Sequence, residues 1–154
     1  MASINSNVIR FEAGGILELV DGATTHTILN LWPGTIRYTM PFVQPLPRTD
    51  RSVQQQPLEG DKQLAEIEFE LYLTKDTTNQ IVDMADDRTS PASNLVKEYT
   101  VNVKYADSQG AATGTVRAFS NAFFREAPQV QHGTDYDKVT IRMYARAAAA
   151  LTTY

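Results

Sequence analysis

The stretch QLAEIEFELYLT, residues 63–74, alternates with a period of two. Ala65, Ile67, Phe69, Leu71 and Leu73 share one parity, and Glu66, Glu68 and Glu70 share the other. Successive side chains of a strand leave on opposite faces, whereas a helix would scatter this pattern around its circumference. The segment is therefore compatible with a strand that has one apolar face and one row of carboxylates. The same period returns at 95–106, where Tyr99, Val101, Val103 and Tyr105 share a parity, and at 138–147, with Val139, Ile141, Met143 and Ala145 inward. A chain with three such segments must stack apolar sheet faces on one another.

Shorter segments complete the pattern. GILELV (15–20) and THTILNLW (25–32) flank Asp21-Gly22, a strong turn signal, and are expected to form a hairpin. TIRYTM (35–40) continues as a third strand after Pro33-Gly34, and TVRAFSNAFF (115–124) reads as a strand with a bulge near Asn121. In 75–88 the period changes: Ile81, Met84 and Ala85 fall at i, i+3 and i+4, with Asp76 as N-cap, which predicts one helix over about 76–88. The segment 41–61 holds Pro41, Pro45, Pro47 and Pro57 and cannot be a central strand, because proline removes a ladder donor. It reads as a long loop or extended arm, and 147–154 as a small-residue tail. The expected fold is mainly β: a single domain over 1–154, an antiparallel sandwich or curled barrel of about seven strands with one flanking helix.

Composition removes several functions. A net charge of −4 argues against a free-standing nucleic-acid binder, which needs cations to replace phosphate counterions. The absence of cysteine excludes disulfides, thiol catalysis and cysteine-ligated zinc. No apolar run approaches the roughly 20 residues of a bilayer span, and the first residues carry no signal-peptide pattern, so no membrane anchor is expected. His26 and His132 stand apart, in a strand and a turn, with no nucleophile or ligand pattern beside them. Asp83, Asp86 and Asp87 lack the spacing and central glycine of a calcium loop. Trp32, the one tryptophan, is expected to anchor the core. No catalytic residue, metal site or cofactor is assigned. What remains to be explained is a β fold with an acidic strand face, a proline-rich arm and small-residue ends, which suits a self-assembling structural protein.

The order of elements resembles that of phage tail tube proteins, the major tail proteins related to type VI secretion and contractile-injection tubes. The resemblance rests on GILELVDGATTHTILNLW, the long loop ending in PLEGDKQLAEIEFELYLT, one helix, EYTVNVKYA, GTVRAFSNAFF and GTDYDKVTIRMYARA. It implies a virion protein, assembled in the host cytoplasm, whose hexameric rings stack into the hollow tail tube that delivers DNA. Implied partners are other copies of itself, tape-measure, tail-terminator and baseplate proteins, and DNA in transient passage. FVQPLPRTDRSVQQQPL would be the loop that contacts an adjacent ring, with Phe42, Pro45, Pro47, Arg48, Arg51 and Gln55 as its contact residues. Glu66, Glu68 and Glu70 would face the lumen, where carboxylates repel phosphates. The strands 63–74 and 95–106 would offer edges for joining subunits. Two other classes stay open: another virion component (head–tail joining, decoration or baseplate), or a small sugar-binding or enzymatic β-sandwich whose aromatics would come from Tyr38, Tyr72 and Tyr136.

Overall fold

The computed structural model describes residues 9–12, 14–47, 57–75, 81, 97–107 and 112–153. Twelve strands follow in chain order: β1 Ile9–Arg10, β2 Ile16–Asp21, β3 Thr24–Ile28, β4 Arg37–Tyr38, β5 Phe42–Pro47, β6 Pro57–Gln63, β7 Ala65–Tyr72, β8 Tyr99–Asp107, β9 Ala112–Phe124, β10 Gln129–Gln131, β11 Lys138–Ala148 and β12 Thr152–Thr153. The main sheet runs β3-β2-β8-β9-β11-β7-β4, with β1, β10 and β12 paired at its margins. Each described pairing is antiparallel. The count exceeds the expected seven because short marginal strands and a separate two-stranded sheet, β5-β6, add to the long ones.

The period-two segments bury the parity they predict except at the end of β8, where the register shifts, Tyr105 is half-buried and Ala106 is buried instead. Ala65, Ile67, Phe69 and Leu71 of β7 are buried, as are Val139, Ile141, Met143 and Ala145 of β11 and Tyr99, Val101 and Val103 of β8. Leu17, Leu19 and Ile28, from the other end of the strand order, join the same core cluster. The sheet must therefore curl over itself. Tyr38 of β4 closes the curl: its hydroxyl bonds that of Tyr105 on β8, and its ring meets Phe119 of β9 edge-on at 5.0 Å. Burial and that bond hold the Tyr105 phenol protonated well above the ordinary tyrosine range. The curl stops short of a barrel, since β3 and β4 end the path without pairing to each other.

Two local features follow the sequence signals. Gly22 takes φ +57°, the left-handed value that a two-residue hairpin loop needs at its first position. In β9 the step from Phe119 to Ala122 spans three residues where the facing step from Tyr99 to Val101 on β8 spans two. The extra residue is a bulge, and Asn121 sits in it at φ +52°. Asparagine tolerates that conformation better than a branched residue. Asn121→Val should cost the subunit about 1–2 kcal/mol in urea denaturation, while Asn121→Gly should leave it unchanged.

Several expectations are corrected. Trp32 does not anchor the core; it is half-buried and stacks on Tyr72 at the surface. Leu73 falls beyond the end of β7 and is 36% exposed. The tail is not a free arm: Thr152 and Thr153 pair with Val116 and Thr115 of β9, and Arg117 Nη1 donates to the Ala149 carbonyl at 2.7 Å. The expected helix 76–88 lies outside the described residues except for Ile81, which is helical and buried in the core cluster.

Candidate assembly surface

The expected joining edges are not available. β7 is flanked by β11 along its whole length and on its other side by β4. That second side is completed by Trp32 N–H donating to the Glu70 carbonyl, Tyr72 N–H to Asn30 and Thr39 N–H to Glu66. β8 lies between β2 and β9. Interior strands have spent their donors and acceptors on neighbours, so a long, regular strand is a poor candidate for an edge. The strands that end the sheet path are β3 and β4.

The row Glu66, Glu68, Glu70 does lie on the face of β7 opposite the core, but it does not stand alone. Cross-strand register sets Arg37 of β4 on one side of Glu68 and Arg142 of β11 on the other. The ion pairs are 3.0 Å from Arg37 and 3.6 Å from Arg142. Arg142 also reaches Glu126 at 2.8 Å, and these two carboxylates hold its guanidinium firmly charged. Lys138 meets Glu70 at 3.6 Å. Glu66 faces Tyr144 in register and makes no ion pair among the described residues. The alternation located the carboxylates but could not place the cations that offset them, because Arg37, Lys138 and Arg142 come from strands distant in sequence. Next to this row an open depression of about 490 Å³ is lined by Arg37, Tyr38, Thr39, Glu66 and Glu68.

The arm is a β-hairpin rather than a loop. Phe42 pairs with Gln63, Val43 with Lys62 and, after one irregularity, Pro45 with Glu59, Leu46 with Leu58 and Pro47 with Pro57. Prolines keep these strands out of the main sheet, yet a two-stranded ladder has outward sides where a missing N–H costs nothing. Beyond its base the hairpin pairs with no described strand of the main sheet. It exposes Phe42 (57%) and Val43 at its root. Among the expected contact residues, Pro45 and Pro47 belong to β5, while Arg48, Arg51 and Gln55 lie outside the described residues. An isolated two-stranded hairpin is marginal in water, so this one gains from a surface to lie on.

At the far end of β7 the fold gathers aromatics that sequence reading had left scattered. Trp32 stacks on Tyr72, with centroids 4.4 Å apart and planes at 21°. Tyr136 meets both edge-on, at 6.4 and 5.5 Å, and the Lys138 ammonium lies 5.9 Å from the Trp32 ring. The turn carrying Tyr136 is tied down. Asp137 accepts from Gly133 N–H at 3.1 Å, pairs with His132 at 2.9 Å, and gives its carbonyl to Leu73 N–H at 2.9 Å. The His132 and Gly133 contacts lower the Asp137 carboxyl below its ordinary range. His132 thus orders a turn, and His26 is a half-buried residue facing Leu19 across the first hairpin.

No family model and no curated protein sequence matches the chain. Solved structures do. A chain of the extended sheath–tube complex of the PVC extracellular contractile injection system superposes with a TM-score of 0.70. The match covers 98% of this chain and 95% of that one, at 11% identity. The sheath/tube terminator of that system gives 0.67, over 91% and 94%, at 12% identity. The tube-terminating cap of the anti-feeding prophage gives 0.59, over 100% and 96%, at 11% identity. At such identities the likeness is one of fold, and the chain has the fold of contractile-injection components, in keeping with its resemblance to tail tube proteins.

Proposed function

We propose that this chain is a structural subunit of a tail or injection tube, assembling with its own copies into hexameric rings that stack around a passage. The observation that carries this reading is the end-to-end match to a chain of a sheath–tube complex, with almost nothing left over on either side. The projecting hairpin supports it, since a marginal ladder is stabilised when a neighbour covers it. In this reading the chain works in the virion tail after assembly in the host cytoplasm. It meets terminator, baseplate and tape-measure proteins, and DNA passes along it without being held. The β4-β7-β11 face, with Glu66, Glu68 and Glu70 at its centre, lines the passage. Its internal ion pairs leave little net charge for a polyanion to grip.

Negative-stain and cryo-electron microscopy of the purified protein test the proposal directly. Sixfold rings and tubes are expected. A protein that stays monomeric at high concentration, across salt and temperature, would overturn it. The likeness to terminator and cap chains favours a second reading, a closing ring that ends a tube. That reading predicts single rings that never lengthen.

A further inference from the structure

We propose that the outer edge of β3 is the seat for an added strand, residues 2–6 of a second copy of this chain. The inference rests on the self-assembly reading above and names one contact that assembly would make. Three observations carry it.

The first is an open edge. β3 and β4 end the path of the main sheet, and among the described residues neither has a further neighbour. β4 is blunted: it is two residues long, carries Arg37 and stands between Pro33 and Pro41. Shortness, charge and proline are the usual guards of a sheet edge. β3 has none of them, since Thr24–Ile28 is five residues long and holds no charge and no proline. Its pairing sets His26 opposite Leu19 and Ile28 opposite Leu17, so these two look toward the core while Thr25 and Thr27 look away. His26 is only half-buried there, and Leu29, the next residue after the strand, is 84% exposed. Such an edge is a template for one more strand.

The second is a segment fit to fill it. Residues 1–8, MASINSNV, lie outside the described residues, and their sequence alternates with a period of two. Ala2, Ile4 and Val8 share one parity, broken by Ser6, and Ser3, Asn5 and Asn7 share the other. Added beside β3, the first parity would cover His26 and Ile28, and the second would continue the polar row of Thr25 and Thr27. The segment has no charged side chain and no proline, so no like charges are set opposite each other and no ladder donor is missing. Main-chain bonds supply the affinity in this mode of recognition, and alternate side chains supply the fit.

The third is reach, which selects a second copy. The segment leaves the sheet at β1, where Ile9 faces Asp107 of β8, whereas Ile28 lies level with Val103 of that strand through Leu17. Within one chain the segment would have to cover about 13 Å along the strands and about 10 Å across two strand spacings before meeting the outer side of β3. That consumes about five extended residues and leaves about four for the edge, fewer than β3 offers. A neighbouring copy beside the end of β8 meets the segment without this detour.

The chain lacks cysteine, and Ile4 and His26 are the central residues of 2–6 and of β3, so they meet whichever way the added strand runs. Ile4→Cys with His26→Cys, oxidised during assembly of the full chain, should give a ladder of trimers and longer chains, and neither single variant should exceed a dimer. Successive N–H groups of a strand point to opposite sides, so Ile4→Pro with Asn5→Pro removes one donor facing β3 in either register. This variant should keep the urea midpoint of the monomer and raise the concentration needed for assembly by about tenfold. Tubes of the double-cysteine variant without a ladder, or proline-variant tubes at the wild-type concentration, would overturn this proposal and leave the tube reading intact. A bridged product that stays monomeric would place the segment on its own β3 and overturn the exchange between copies. Failure of the wild-type chain to assemble would overturn both readings.

Discussion

Replacing Glu66, Glu68 and Glu70 together by lysine should turn an inert face into one that holds DNA. The face carries four carboxylates, the paired Glu68, Glu70 and Glu126 and the neighbouring Glu66, against three cations, Arg37, Lys138 and Arg142, a net of −1. The triple replacement leaves one carboxylate against six cations, a net of +5. Arg37 and Lys138 then lose their ion pairs, Arg142 keeps only Glu126, and all three gain a like-charged neighbour. Exposed pairs contribute only about 0–1 kcal/mol each, and like charges directly opposite in a sheet add a penalty of similar size. The subunit should be weakened and remain folded. Its behaviour toward DNA should change far more. Six clustered cations release counterions on binding phosphate, so the variant should shift duplex DNA in a gel at about 50 mM salt and release it by about 200 mM. Wild type should not bind at either. If the variant is as indifferent as wild type at low salt, the face does not offer its charges to a polyanion. A tube reconstruction with Glu68 on the outer surface would remove this face from the passage altogether.

Removal of residues 48–56, with Pro47 joined to Pro57 through Asn-Gly, should abolish tube growth without unfolding the subunit. The ladder Phe42–Pro47 with Pro57–Gln63 is retained, and an Asn-Gly loop is the preferred two-residue closure of such a pair. Among the described residues the core cluster draws on β2, β3, β7, β8, β9, β11 and Ile81, and the hairpin's Phe42 and Val43 are exposed. Stability of the monomer should therefore change by no more than about 0.5 kcal/mol, the usual range for surface changes. Assembly should fail if residues 48–56 supply the ring contact that the tube reading assigns to this arm. Urea denaturation and electron microscopy on the same preparation separate the two effects. Tubes of normal length from the shortened chain would end the assignment of this arm to ring contact.

The strand faces were legible along the chain. In β7, β8 and β11 the side-chain period is set by backbone geometry, so parity alone chose which residues are buried, and the core kept that choice. The Asp21-Gly22 turn and the bulge at Asn121 were equally legible, because a positive φ is a local demand that few residues meet. Neighbourhood was not legible. That β7 lies between β11 and β4, and β8 between β2 and β9, depends on how the whole sheet curls, and this took away the edges that long strands had promised. The cations that offset the carboxylate row could not be placed for the same reason, since Arg37 and Arg142 arrive on strands remote in sequence. The prolines of 41–61 spoke truly against a central strand, but whether an excluded segment stays open or pairs with itself is settled by the return of the chain at Pro57–Gln63. Trp32, Tyr72 and Tyr136 carry no shared pattern along the chain. They meet only because the segment at 30–32 completes one side of β7 and the turn before β11 folds against its end. Local periodicity follows from covalent geometry, whereas a surface assembled from three distant segments exists only once the sheet has closed around its core.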